Sequence, residues 1–241
     1  ADNVAIGVAA LDAANGGELQ NIAIGTNALG TETSGADGCV AIGHAALGTQ
    51  NRDGSRNTAI GYVALTNLGN SVTYGGVRNT SVGYIGGGNG VFGGSGSNDG
   101  DDNTLLGYAA SYALTTSADN NIIGTFAGNL LTTGRGNSIF GSKAGQNATS
   151  AKETIIIGDS ACGLGVLANA TGTEGMYNVV IGSTAGYDLT TGESNILLGK
   201  LAGANFTDND NNIAIGRGAL DGCNGGEHSN IAIGTNALGA D

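Results

Sequence analysis

Few side chains in this sequence have the types and spacing that chemistry requires. Its only histidines are His44 and His228. A Cys–His or Ser–His pair would need a third group to orient it, and no cluster in the sequence offers one. His44 follows a repeated glycine, at a variable position where other copies carry Thr26, Tyr62 or Ser183, and is expected to be exposed. Cys39, Cys162 and Cys223 are odd in number and lack a CxxC spacing, so neither a zinc site nor a disulfide framework is expected. Gly88-Asn-Gly-Val-Phe-Gly93 has the spacing of a dinucleotide fingerprint, which holds a pyrophosphate between a strand and a helix. No helical periodicity follows it, and so much glycine makes such matches by chance. The acidic segments 98–103 and 207–212 gather oxygens of the kind calcium takes. Neither follows the EF-hand loop or the glycine-rich nonapeptide, and both read as solvated turns. The expectation is a protein with no metal, no cofactor and no catalytic residues, and therefore not an enzyme.

What must position any site here is a repeat. Asn21-Ile-Ala-Ile-Gly-Thr-Asn-Ala-Leu-Gly30 recurs identically at 230–239. Weaker copies are anchored at Gly7, Gly25, Gly43, Gly61, Gly83, Gly107, Gly124, Gly141, Gly158, Gly182, Gly199, Gly216 and Gly234. The anchors lie 18, 18, 18, 22, 24, 17, 17, 17, 24, 17, 17 and 18 residues apart. Four residues before the anchor stands Asn, except at Cys39 and Thr154. One residue before it stands Ile, Leu, Val or Phe, and three after it Ala, except at Gly86. Such a period marks a stacked repeat domain, here a single one over 1–241.

Each position has a physical reading. The short β-branched run before the anchor, such as Val179-Val180-Ile181, is a strand. Positions one and three before the anchor share a face, and the position between them faces the other way. That middle position is apolar too, as in Ala23, Leu105, Ile122, Ile139, Ile156, Val180 and Leu197, so the strand must be buried on both faces. The glycine allows a sharp bend or a close backbone approach, and the Asn can close a turn and stack into a ladder. Seventeen or eighteen residues supply two short strands and two turns, one narrow coil of an all-β parallel β-solenoid with about 13 coils. So thin a coil takes in one face of its strand. The second apolar face calls for another chain, and a homotrimeric rod is the expected assembly. Cys39 and Cys162 fall at repeat positions and read as small buried or edge substitutes.

Composition agrees. There are 47 glycines and no proline or tryptophan, 40% of residues are hydrophobic and 12% charged. That excludes collagen and disagrees with disorder. A net charge of −12 argues against nucleic-acid and anionic-membrane partners. No apolar run approaches the ~20 residues that span a bilayer. No signal peptide is visible, and a chain starting at Ala1 with a repeat under way by Asn3 suggests processing or truncation. Thr58, Thr80 and Thr104 stack in successive copies, but the row turns to Asn121 and then mostly to Ile or Val, so an ice-binding ladder is not expected.

Asn-Ile-Ala-Ile-Gly-x-x-Ala-Leu, at Asn21, Asn212 and Asn230, resembles the head repeat of YadA-type trimeric autotransporter adhesins. That resemblance implies a left-handed parallel β-roll with three chains to a rod, binding host surfaces or matrix proteins. Ile181-Gly-Ser-Thr-Ala-Gly-Tyr-Asp-Leu-Thr-Thr-Gly192 looks more like the Gly-Tyr-x-Ala-Gly…Thr-Thr-Gly arrays of bacteriophage tail fibres. The coil here is longer than that of the adhesin head, which favours the fibre. Nothing resembles an adhesin's membrane anchor or stalk, or a fibre's C-terminal chaperone domain, so the expectation is shaft alone. The resemblance implies a structural fibre shaft of a phage or virion appendage that supports host attachment. The alternative is the head of a bacterial surface adhesin. Both are extracellular or cell-surface settings.

Insertions in a repeat protein leave the stack as loops, where recognition concentrates. The excursions around 67–77 and 86–102 lie on neighbouring copies and would carry Tyr74, Arg78, Phe92, Asn98 and Asp99. A third, around 164–177, brings Met176 and Tyr177. These are the candidate residues for a host glycan or protein receptor.

Overall fold

The structure is a computed structural model that describes residues 2–13, 17–32, 36–50, 55–68, 76–88, 100–167, 175–223 and 225–239. It divides into two compact units, Ala1–Asn120 and Asn121–Asp241.

The first unit contains β1 (Val4–Ile6), β2 (Ile22–Ile24), β3 (Thr31–Glu32), β4 (Val40–Ile42), β5 (Thr49–Gln50), β6 (Thr58–Ile60), β7 (Thr80–Val82) and β8 (Thr104–Leu106). The second contains β9 (Asn121–Ile123), β10 (Ser138–Phe140), β11 (Ile155–Ile157), β12 (Val179–Ile181), β13 (Ile196–Leu198), β14 (Ile213–Ile215) and β15 (Ile231–Ile233). Within each unit every three-residue strand pairs, parallel and in register, with the same segment of the next coil. Ala23 lies opposite Ala41 and Ala41 opposite Ala59; Ile156 lies opposite Val180 and Val180 opposite Leu197. The fold is an all-β parallel β-solenoid of about thirteen short strand turns, one strand to each anchor glycine.

Among the described residues the expected second strand of each coil is found only as β3 and β5, which pair with one another. The other described residues on that side form no strand. The cause is local. The described residues two and four after each anchor have positive φ, as at Asn27 (54°), Leu29 (49°), Val63 (56°) and Leu65 (48°). Left-handed residues cannot continue a strand. The backbone still bonds from coil to coil there, Leu29 N–H to Ala46 O at 3.0 Å and Leu47 N–H to Ala64 O at 3.0 Å.

The middle strand position points inward. Ala23, Ala41, Ala59, Ile122, Ile139, Ile156, Val180 and Leu197 are fully buried. Inside each coil the middle strand position and the position four after the anchor share one space, and no coil has a large side chain at both. Where the middle position is alanine, a leucine stands four residues after the anchor, as in Ala23 with Leu29, Ala41 with Leu47, Ala59 with Leu65 and Ala214 with Leu220. Where the middle position is large, the later position is small, as in Ile122 with Gly128, Ile139 with Gly145, Ile156 with Cys162, Val180 with Gly186 and Leu197 with Gly203. A Cβ placed on Gly186 would lie 3.0 Å from Leu197 Cδ1, and one on Gly145 3.0 Å from Ile156 Cδ1. The same volume rule accounts for Gly86, the exception to the alanine three after the anchor. Its coil has a polar residue at the middle strand position, Ser81, whose hydroxyl donates to Gly86 O at 3.2 Å and fills the space a Cβ would take.

The anchor glycine is fixed by a backbone contact. Gly158 has φ of +137°, and a Cβ there would sit 2.5 Å from the carbonyl oxygen of Gly182 in the next coil. An L side chain is excluded both by that conformation and by the close approach of the two coils.

The volume rule predicts a non-additive pair. Ile156→Ala alone is expected to cost about 3 kcal/mol through a cavity. Cys162→Leu alone should cost about 2 kcal/mol through overpacking. Together they recreate the Ala–Leu arrangement of the neighbouring coil types, so a melting series should show about 2 kcal/mol or more of favourable coupling. Strictly additive losses would contradict the rule.

Candidate functional site

Three longitudinal rows give each unit its surface and its cohesion. The first is the asparagine spine four before the anchor. Asn21 Nδ2 donates to Ala36 O at 2.7 Å while its Oδ1 accepts from Cys39 N–H at 2.8 Å. Asn195 repeats both bonds, Nδ2 to Asn209 O at 2.6 Å and Oδ1 from Asn212 N–H at 3.0 Å, and adds a side-chain contact to Asn178 Oδ1 at 3.1 Å. Asn57, Asn79, Asn103, Asn137, Asn178 and Asn212 are all fully buried and make the same pair of bonds. An amide suits this place because it donates and accepts at once. Cys39 and Thr154, the two exceptions, are buried without that amide; Thr154 Oγ1 turns instead to Lys152 O at 2.9 Å.

The second row lies six before the anchor and caps the previous coil. Asp37 Oδ1 accepts from Leu19 N–H at 2.7 Å, Asp101 Oδ1 from Val77 N–H at 2.9 Å and Asp210 Oδ1 from Glu193 N–H at 2.9 Å. His228 Nδ1 takes the same place, accepting from Asp210 N–H at 3.1 Å. The two acidic segments are therefore more than solvated turns. Asp101 and Asn209 are buried, because their side chains fold back onto neighbouring coils. Burial pushes the Asp101 carboxyl above the usual carboxylate range, against the pull of the Val77 N–H and of Arg78. Arg78 holds Asp102 in a two-point contact, Nε and Nη2 each 2.6 Å from a carboxylate oxygen. That bond lowers the Asp102 pKa and raises that of Arg78.

The third feature is lateral. The rows one and three before the anchor form the outer face of the strands, and they are the second apolar face that the sequence calls for. On strands with a neighbour on each side within their unit, Ile60 is 36%, Ile155 38%, Ile181 37% and Ile196 37% exposed. The row one before the anchor is apolar throughout both units. Beside it, in the first unit, the residues immediately after the anchor stack ring on ring. His44–Tyr62, Tyr62–Tyr84 and Tyr84–Tyr108 have centroids 5.1, 5.1 and 5.2 Å apart and interplanar angles of 13°, 9° and 4°. His44 is exposed as expected, but as the end of an aromatic ladder. The ladder was legible as one repeat position holding His, Tyr, Tyr and Tyr in four successive copies.

Of the residues singled out for recognition, Tyr74, Phe92, Asn98 and Asp99 lie outside the described residues. Arg78 sits in the first unit with a left-handed backbone (φ 57°) and a half-exposed guanidinium bonded to Asp102. In the second unit Met176 is buried, 7% exposed, while Tyr177 beside it is exposed. Cys39 and Cys162 are buried and Cys223 partly so; none of the three is in a disulfide, and burial pushes Cys162 up to about 12. Among the described residues no group of three His, Cys, Asp or Glu side chains is placed to hold a metal ion. Comparison of the chain with protein families, with curated proteins and with solved structures returns no match.

The spine predicts opposite effects of two substitutions. Asn195→Ala removes four inter-coil bonds and strands their buried partners, at an expected cost of about 3 kcal/mol. Cys39→Asn supplies a missing amide and is expected to gain about 1 kcal/mol. Thermal melts of the two variants check both signs, and a Cys39→Asn protein that melts earlier would contradict the assignment.

Proposed function

We propose that this chain is a structural fibre protein: a homotrimeric solenoid shaft of a phage or virion appendage that supports host attachment from outside the cell. A rigid, repetitive β-solenoid scaffold suits a mechanical or adhesive task. Its function is to hold a shape, through backbone bonds repeated at every coil and an amide spine inside them, and it carries out no catalysis. The observation that carries this reading is the lateral apolar face. A row of Ile, Val, Leu and Phe, one to each coil, stays partly open to solvent along each unit. Continuous apolar surface of that kind marks an interaction site. Other copies of the chain are the partner in this reading, because a repeating stripe is matched most simply by the same stripe, related by symmetry. The net charge of −12 keeps the remaining surface from sticking to other acidic bodies. A glycan or protein of the host surface is the further partner the reading implies, met by exposed loops of the stack.

The test is the mass in solution. Sedimentation at micromolar concentration is expected to give three times the 23.4 kDa of one chain. Ile181→Glu with Ile196→Glu, both at lateral positions, should lower it to one chain without unfolding the coils. A wild-type monomer would remove the assembly, and polysaccharide turnover by the purified protein would remove the non-enzymatic reading.

A further inference from the structure

We infer that the coil of β15 is a docking surface for the coil of β1 of a second copy, so that copies join end to end and the solenoid continues across the seam. This contact is axial; it goes beyond the lateral assembly proposed above and does not depend on it.

The first unit already contains the contact that the seam would form. Asn230–Gly239, the coil of β15, is identical to Asn21–Gly30, the coil of β2. The coil laid on β2 is that of β4, Cys39-Val-Ala-Ile-Gly-His-Ala-Ala-Leu47. The coil of β1, Asn3-Val-Ala-Ile-Gly-Val-Ala-Ala-Leu11, differs from it at two residues only. Val8 replaces His44 in the outward row after the anchor, and Asn3 supplies the spine amide that Cys39 lacks. Laying β1 on β15 therefore rebuilds the β2–β4 register, in which Ile22, Ala23 and Ile24 lie opposite Val40, Ala41 and Ile42. Both coils are of the alanine–leucine kind, Ala232 with Leu238 and Ala5 with Leu11, so their outlines match.

Among the described residues β1 pairs only with β2, and β15 only with β14. Their outer edges hold open what the β2–β4 contact fills. In that contact Leu29 N–H donates to Ala46 O at 3.0 Å, Gly43 N–H to Ile24 O at 2.8 Å and Ala45 N–H to Thr26 O at 2.9 Å. The corresponding N–H groups of Leu238, Gly7 and Ala9 have no backbone partner among the described residues. Leu29 is fully buried, whereas Leu238, the same residue of the same decapeptide, is 63% exposed. A Cβ on Gly25 would lie 2.5 Å from Gly43 O, while one on Gly234 meets only Ala237 Cβ, at 3.9 Å, so the place of the next anchor is empty. The spine has its next step too: Asn21 Oδ1 accepts from Cys39 N–H at 2.8 Å, and Asn230 Oδ1 would accept from Asn3 N–H of the second copy in the same way. A strand edge with unpaired backbone groups is a template for another strand. The coil of β1 is the one whose outline, register and bonds fit it. Head-to-tail contacts of this kind do not close, so copies add in rows. Each seam is a single coil face, small beside a standard interface, so it forms reversibly and leaves the mass at micromolar concentration to the lateral contacts.

Disulfide trapping reads a reversible seam. Residues immediately after the anchor stand side by side on neighbouring coils, as the stacked rings of His44 and Tyr62 show. Thr235 and the Val8 of a second copy would therefore be one coil apart, about 4.8 Å, which suits a disulfide. Both are exposed and outside the coil interior, so their replacement leaves the stack intact. Full-length chains carrying Cys223→Ser, to remove the partly exposed native thiol, receive either Val8→Cys or Thr235→Cys. Mixed and oxidised with copper–phenanthroline, the two are expected to give a product of twice 23.4 kDa on a non-reducing gel, and each alone to stay a single chain. Adding Leu238→Glu to the Thr235→Cys chain would bury an unpaired charge in the seam and should cut the product on the order of tenfold or more. Circular dichroism confirms that this variant is folded. Lys200→Cys, in the same outward row but inside the stack, replaces Thr235→Cys as the control and should give little product. No dimer in the mixture, as much dimer with Lys200→Cys, or a yield undiminished by Leu238→Glu would overturn the inference. The dimer should persist when both chains also carry Ile181→Glu and Ile196→Glu; its loss there would assign the cross-link to the lateral face instead.

Discussion

The constraint on which everything else rests is the shared volume inside each coil beside its anchor glycine. Two sequence positions project into that space, and no coil has a large side chain at both. Ala23 admits Leu29, and Ile156 admits Cys162. Because the cross-section is held constant in this way, consecutive coils present the same outline. Their strands then pair in register and their anchor carbonyls lie where a side chain on the previous glycine would be. Core packing at this density leaves little tolerance for a methylene too many or too few.

Constant outline makes the polar spine possible. The buried asparagines can bond from coil to coil only if the spacing is regular, and each then satisfies its own amide and two backbone groups of the next coil. Buried polar groups are costly when unpaired, so the spine also acts against any slip in register, which would strand a whole row of amides. The aspartates six before the anchor extend the same logic outward, closing backbone N–H groups on the side of the coil that has few strands.

Much of this was legible in the sequence. The anchors, the asparagine row and the strand before each glycine follow from period and residue type, and the structure has them all. Which face of the strand turns inward was not decidable from the strand, since both faces are apolar; the answer lies six residues beyond its middle position, in the size of Leu29 or Gly203. The left-handed turn after each anchor was illegible for another reason. Leucine, valine and isoleucine at Leu65, Val63 and Ile85 favour extended backbone by propensity, yet the coil's closure forces them into the left-handed region. Asp101 looked solvated because its partner, the backbone of Val77, is far away in sequence and adjacent only through the stack. The aromatic ladder was visible as a column of the repeat, but stacking depends on rotamers that the column does not record.

A lateral apolar stripe and a stacked aromatic row are both consequences of repetition, in which a single side chain of little account becomes a surface when copied at every coil. Amide hydrogen exchange resolved by residue tests that repetition most directly. The account predicts strong protection recurring once per repeat at the anchor glycines, whose N–H groups bond to the previous coil, as Gly182 to Ile157 O, Gly199 to Ile181 O and Gly216 to Leu198 O, each at 2.8 Å. Their exchange should be slowed by several orders of magnitude relative to the free chain. Anchor amides exchanging at free-chain rates, or protection with no period of one coil, would contradict it.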